Sequence, residues 1–133
     1  MMSGRDQGRL NMTEPDTGQG IENFAIVRLA RAPGFNQAVQ RVTSAIVSAR
    51  EQGVTKLLLD ITELGLDPPS IAARQSMARE WAAAAGAVRG AMVAPREFID
   101  PEKFGVIVGR NFGLQGNVFE TEAEAMAWIR HLD

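Results

Sequence analysis

Cysteine is absent from this sequence, and histidine occurs once, at His131. Without cysteine there is no disulfide, no thiolate metal site and no cysteine nucleophile. The absence is compatible with a reducing compartment. A basic block is also lacking: 14 Lys and Arg are interspersed with 16 Asp and Glu, for a net charge of −2. No stripe of cations is available to neutralise a phosphate backbone, so no nucleic-acid partner is expected. No apolar run approaches the roughly 18 residues of a membrane span. The opening Met1-Met2-Ser3-Gly4-Arg5-Asp6 leads into no apolar signal core. A cytoplasmic domain without a membrane span is the expectation.

What is present is enough for one folded unit. The chain has 133 residues, 45% of them hydrophobic, and a domain of that size buries roughly two-thirds of its unfolded surface. Residues 1–20 are polar, rich in Gly, Asp, Thr, Gln and Asn, and read as a disordered leader. Residues 21–133 read as a single α/β domain. Phe24-Ala25-Ile26-Val27-Arg28-Leu29-Ala30 has the β-branched and aromatic content of a strand covered on both faces. After Pro33-Gly34, a helix opens at Gly34 or Asn36, with Phe35, Val39, Val42, Ile46 and Ala49 forming its apolar stripe and Gly53 its stop. Residues 54–61 follow, with Leu57-Leu58-Leu59 too apolar for a wet face, as in a central parallel strand.

The next helix is expected over residues 70–85. Ala73, Met77, Trp81 and Ala84 should face inward, and Arg74, Gln75, Arg79 and Ala83 outward. Gly86 and the Val88-Arg89-Gly90 stretch break it, and Ala91-Met92-Val93-Ala94 is a short buried strand closed by Pro95. Asp100-Pro101-Glu102 is a helix start, with an N-cap acid followed by proline. The stripe Phe104, Ile107, Val108 and Phe112 continues it, strand being the weaker alternative at Val106-Ile107-Val108. Val118-Phe119 is a minimal last strand. Thr121 and Glu124 then form a capping box for a helix with Ala125, Trp128, Ile129 and Leu132 inward. The order βαβαβαβα implies right-handed crossovers and a mostly parallel sheet of four or five strands with helices packed on it. Function in such sheets gathers in loops at the carboxyl ends of the strands.

Candidate chemistry is sparse. His131 lies near the chain end, where a helix C-terminus accounts for it better than catalysis does. Asp60, Glu63 and Asp67 could act as a carboxylate group for acid–base work or Mg²⁺, or simply fix a turn through backbone amides. Gly105, Gly109 and Gly113 fall in or at the end of a helix, and no phosphate-binding glycine fingerprint is present. Arg110 could meet an anion or belong to a solvated helix end. Trp81 and Trp128 sit on apolar stripes and read as core. No catalytic residue, metal or cofactor is assigned. The remaining feature is the junction from Leu57 through Pro68-Pro69 to Ser70. There a hydroxyl meets the free amides of a helix start, as a simple N-cap or as a site where phosphate would be well received.

This junction resembles the STAS domain family, whose prototype is the anti-sigma-factor antagonist of sporulating bacteria. Leu57-Leu58-Leu59-Asp60, the turn after it, the serine at the next helix start, Ala91-Met92-Val93 and the ending Val118-Phe119-Glu120-Thr121 carry the likeness, over residues 22–132. Counting without a gap from Asp60 puts the family's phosphorylatable serine on Ser70, with Pro68 and Pro69 in the preceding motif positions. One gap puts the motif aspartate on Asp67. The resemblance implies a divergent, STAS-like, non-enzymatic switch that binds a protein partner such as an anti-sigma-factor-like kinase and is released by phosphorylation of Ser70. Asp60, Thr62, Asp67, Ser70 and Arg74 would then form the contact face, and a homodimer is left open. A different class of function, a small-molecule or lipid carrier, would use an apolar pocket between the sheet and the helix at residues 101–112.

Overall fold

The computed structural model describes residues 11–12, 24–99, 103–111 and 113–132, with backbone alone at Asn11, Met12, Phe104, Gly105, Ile107 and Val108. Five strands and four helices follow one another along the described chain. They are β1 (Asn11–Met12), β2 (Phe24–Arg28), α1 (Phe35–Glu51), β3 (Lys56–Asp60), α2 (Ile71–Ala85), β4 (Arg89–Val93), α3 (Phe104–Asn111), β5 (Gly116–Phe119) and α4 (Glu122–Arg130). A 3₁₀ turn at Arg96–Phe98 precedes α3.

The strands lie in sequential order, β1-β2-β3-β4-β5. β2 to β5 are mutually parallel, and β1 is antiparallel to β2 through Asn11↔Ile26 and Met12↔Ala25. The α/β, mostly parallel expectation therefore holds. In the segment read as a disordered leader, Asn11 and Met12 form this edge strand, and they are the only residues of that segment described.

Sequential parallel order has a geometric consequence. Each crossover moves one strand onward in the same direction, so right-handed connections put α1, α2 and α3 on one face of the sheet. The core divides accordingly. Ala25, Val27, Leu57 and Leu59 pack with Val42, Ile46, Met77 and Trp81. Leu58, Ala91 and Val93 pack beneath Ala125 and Ile129 of α4 on the opposite face. Leu57, Leu58 and Leu59 are exposed by only 2%, 0% and 3%, because helices cover both sides of β3. Each such leucine contributes about 1.5–3 kcal/mol of burial, which makes β3 the axis of the fold.

Of the two openings expected for helix α1, Gly34 is the cap. Several other local expectations are corrected. Phe35 lies on the surface instead of in the apolar stripe. Arg89 and Gly90, read as a helix-breaking stretch, are the first residues of β4. Residues 106–108 are helical, as expected, and the strand alternative falls away. Thr121 Oγ1 accepts from Glu124 N at 3.1 Å, but the reciprocal bond from the Glu124 side chain is absent among the described residues, so the capping box is half-formed. Arg74, expected to face outward, turns beneath the 3₁₀ turn and donates Nη1 to the Phe98 carbonyl at 2.8 Å. The helix-start residues Asp100, Pro101 and Glu102, and the side chains of Phe104, Ile107, Val108 and Phe112, lie outside what is described.

Candidate functional site

The carboxyl ends of the parallel strands are level, with Arg28, Asp60, Val93 and Phe119 in register. The ladder continues one residue into each loop. Leu29 N donates to Asp60 O (3.0 Å), Ile61 N to Val93 O (2.8 Å) and Ala94 N to Phe119 O (2.9 Å). The loops at this end are thus anchored at their roots before they diverge.

Residues 61–70 form the loop between β3 and α2, and its interior is pinned. Leu64 is fully buried, and its carbonyl accepts from Ala32 N at 3.0 Å. Asp60 Oδ1 accepts from Thr62 N at 2.9 Å and from Thr62 Oγ1 at 2.7 Å. Asp60 is therefore the acceptor of a tight turn. Gly65 adopts φ +88°, and a Cβ there would stand 3.1 Å from the tip of the flexible Arg31 side chain, so it is the backbone conformation that favours glycine. Glu63 and Asp67 are exposed. Among the described residues no group of three acids could hold a metal ion. The structure thus gives Asp60 a turn-fixing role and does not gather Asp60, Glu63 and Asp67 into a cation site.

Pro68 and Pro69 lead to Ser70, the N-cap of α2, in extended conformation (φ −66°, ψ 167°). Its Oγ accepts from Ala73 N at 3.1 Å, and its carbonyl accepts from Arg74 N at 2.9 Å. The hydroxyl is exposed beside the first-turn amides. Ile71, the next residue, is 68% exposed, and Phe35, across the loop, is 41% exposed. A shallow depression between α1 and the loop is bordered by Arg31, Pro33, Phe35, Gly65 and Asp67.

The five expected contact residues divide into two groups. Thr62, Asp67 and Ser70 reach the surface of this loop, and Asp60 supports it from below. Arg74 points instead to a second feature, an apolar cavity of about 140 Å³ between the sheet and helices α2 and α3. Met77, Trp81, Met92, Phe98, Leu114 and Val118 are among the residues of its wall. Its strand-side floor includes Gly90 and Gly116, paired in register on neighbouring strands. These two glycines were the missed signal: glycine inside a strand often marks a bare patch where something else approaches.

The other candidates are ordinary. His131 Nδ1 lies 2.7 Å from the Ala127 carbonyl at the end of α4. Trp81 is buried and donates Nε1 to Thr43 Oγ1 at 3.1 Å. Trp128 is half-buried and tilts against Phe119 with centroids 5.7 Å apart. Two ion pairs lie at the strand ends, Arg28–Glu122 at 2.8 Å and Arg96–Glu120 at 2.6 Å. The hydrogen bond and charge of Glu120 hold the Arg96 guanidinium above its ordinary pKa. No helix among the described residues is long and apolar enough to cross a membrane. No family model, curated protein or solved structure matches the chain.

Proposed function

We propose that this chain is a non-enzymatic, STAS-like regulatory or interaction domain that meets a protein partner through residues 62–70 and the first turn of α2. The observation that carries the reading is where apolar surface remains uncovered. Phe35 and Ile71 are the exposed large hydrophobics among the described residues, and both border this one loop. Apolar side chains left out on a fixed frame favour a docking surface. The frame is fixed here: Leu64 anchors the loop from inside, and the Asp60–Thr62 turn holds its entry. A rigid loop loses little entropy when a partner binds.

Ser70 supplies the control element. Phosphate on its exposed hydroxyl would add nearly two negative charges beside the first-turn amides. It would also sit one residue from Ile71, in the middle of the contact surface. Release of the partner follows from desolvating that charge at an apolar contact. An anti-sigma-factor-like kinase is the partner class that fits both the contact and the modification.

The test is co-purification from the native host with tagged protein. Ile71→Asp and Phe35→Asp should each lose a partner that Arg130→Asp, on α4, retains. Retention of every partner by both loop variants would remove the docking claim. Phosphosite mapping of the same material tests the switch, and phosphate found only at residues other than Ser70 would count against it.

A second reading, a small-molecule carrier, is favoured by one specific observation. The cavity of about 140 Å³ lies between the sheet and helices α2 and α3. An apolar cavity of about 150 Å³ accepts a benzene-sized guest.

A further inference from the structure

We infer that the cavity between the sheet and helices α2 and α3 is a binding site for a small apolar carboxylate, its body lying over Gly90 and Gly116 and its carboxylate meeting Arg74 and Lys103. The inference rests on the carrier reading and adds to it the chemical class of the ligand.

The floor comes first. Leu57, Gly90 and Gly116 stand side by side on β3, β4 and β5. Glycine is poorly suited to a strand interior, where it has no side chain to pack and large backbone entropy to lose. Neither position needs it for a left-handed backbone. A Cβ built at Gly90 would meet nothing closer than the Leu57 carbonyl, at 3.7 Å. Gly90 therefore leaves room that an ordinary strand residue would fill, in the cavity that Trp81 and Met77 of α2 also line, whereas a Cβ at Gly116 would already stand 3.3 Å from Gly90 O and 3.5 Å from Leu114 Cγ.

The charges come second. Arg74 and Lys103 both line the cavity, and no carboxylate is among its described lining residues. Neutral groups hold both cations in place. Arg74 donates to Phe98 O at 2.8 Å and lies over the Phe98 ring, 5.5 Å from its centroid. Lys103 Nζ donates to Asn117 Oδ1 at 2.8 Å and to Val118 O at 3.0 Å, and lies 5.1 Å from the Phe119 centroid. The Arg74 contact uses one of a guanidinium's five N–H donors, and the Lys103 contacts use two of an ammonium's three. Fixed cations with donors that no described residue takes, beside an apolar chamber, fit an anion with an apolar body. A guanidinium matches a carboxylate through paired N–H···O bonds.

Backbone conformation is the third observation. Lys103 has φ +54°, the one non-glycine residue in the left-handed region among those described. Such conformations are uncommon for residues with a Cβ and gather at ligand clamps. Here it sets the lysine at the entry to α3. Cavity size then bounds the guest to a body of about six carbons, ring or chain.

The test is calorimetric titration of the full chain with hexanoate, 1-hexanol and hexylammonium. Hexanoate should bind at least tenfold tighter than 1-hexanol, and hexylammonium should bind weakest. Arg74→Met and Lys103→Met should each weaken hexanoate about tenfold, as expected for a hydrogen bond to a charged group, while leaving 1-hexanol within a factor of about two. Equal affinity for hexanoate and 1-hexanol would overturn the carboxylate assignment and leave the cavity as a neutral apolar site. Failure of all three probes, and of benzene, to bind would overturn the carrier reading itself.

Discussion

Replacing Gly90 by Ala should stabilise the protein, which is unusual for a change near the start of an inner strand. The position sits between Leu57 and Gly116 in register, and an added Cβ would lie 3.7 Å from its nearest neighbour, an ordinary contact. Removing glycine freedom from the unfolded chain contributes about 0.4–1 kcal/mol. Burying one methyl group contributes about 0.8 kcal/mol more. The sum is a gain of about 1–2 kcal/mol, or a rise of several degrees in Tm for a chain of this length. Gly90→Val should gain somewhat more, since its branches occupy part of the 140 Å³ cavity and suit a strand. Gly116→Ala is the contrast, because its Cβ would stand only 3.3 Å from Gly90 O, and a gain there is not expected. Urea unfolding followed by tryptophan fluorescence measures all three, and calorimetry asks whether Gly90→Val also abolishes hexanoate binding. Overpacking a filled core costs about 1–3 kcal/mol. A loss of that size at Gly90→Ala would therefore show that the space is already occupied, and the reasoning would fail.

Other perturbations probe the loop and the sheet's second face. Ser70→Ala should cost about 1 kcal/mol by leaving Ala73 N without its cap, whereas Ser70→Asp, a comparable N-cap, should be close to neutral in the same denaturation assay. Gly65→Ala should cost about 1–2 kcal/mol, because φ +88° is strained for a residue with a Cβ. Lys56 is 5% exposed and donates Nζ to Leu132 O at 2.8 Å, so Lys56→Ala should cost about 2 kcal/mol and speed amide exchange at the end of α4. Glu120→Gln should leave the unfolding midpoint unchanged across the neutral range. The Arg96 pKa is raised, so the part of the stabilisation linked to Arg96 is present below the ordinary arginine range and is lost as pH climbs through the raised value. The pair is also exposed, where ion pairs contribute little.

The elements that were readable from sequence are those whose signal is local. Leu57-Leu58-Leu59, lying between two helical stripes, reads as a strand covered on both faces, and it is. Ser70 before an alanine-rich run is a helix start, and its hydroxyl caps Ala73 N. What escaped depends on partners distant in the chain. Gly90 reads as a breaker until β5 brings Gly116 beside it. Arg74 falls on the outward side of a helical wheel, yet a flexible side chain can reach back, and the Phe98 carbonyl after Pro95 gives it a reason to do so. Asn11 and Met12 carry no strand pattern of their own and pair only because β2 offers a free edge. Phe35 fits the apolar stripe of α1 but lies in its first turn, where the helix end looks toward solvent and toward residues 62–70. The loop could thus be located from sequence as a candidate site. Its exposed apolar border and the cavity behind α2 required the fold.

The most direct measurement of the docking claim is site-specific photo-cross-linking in the native host, with the reactive group placed at Ile71 and, as a control, at Arg130. The expected result is one discrete adduct with a partner protein from position 71, absent from position 130 and lost in the Ser70→Asp background. Adducts of equal yield from both positions, or none from position 71, would contradict an interaction surface at this loop.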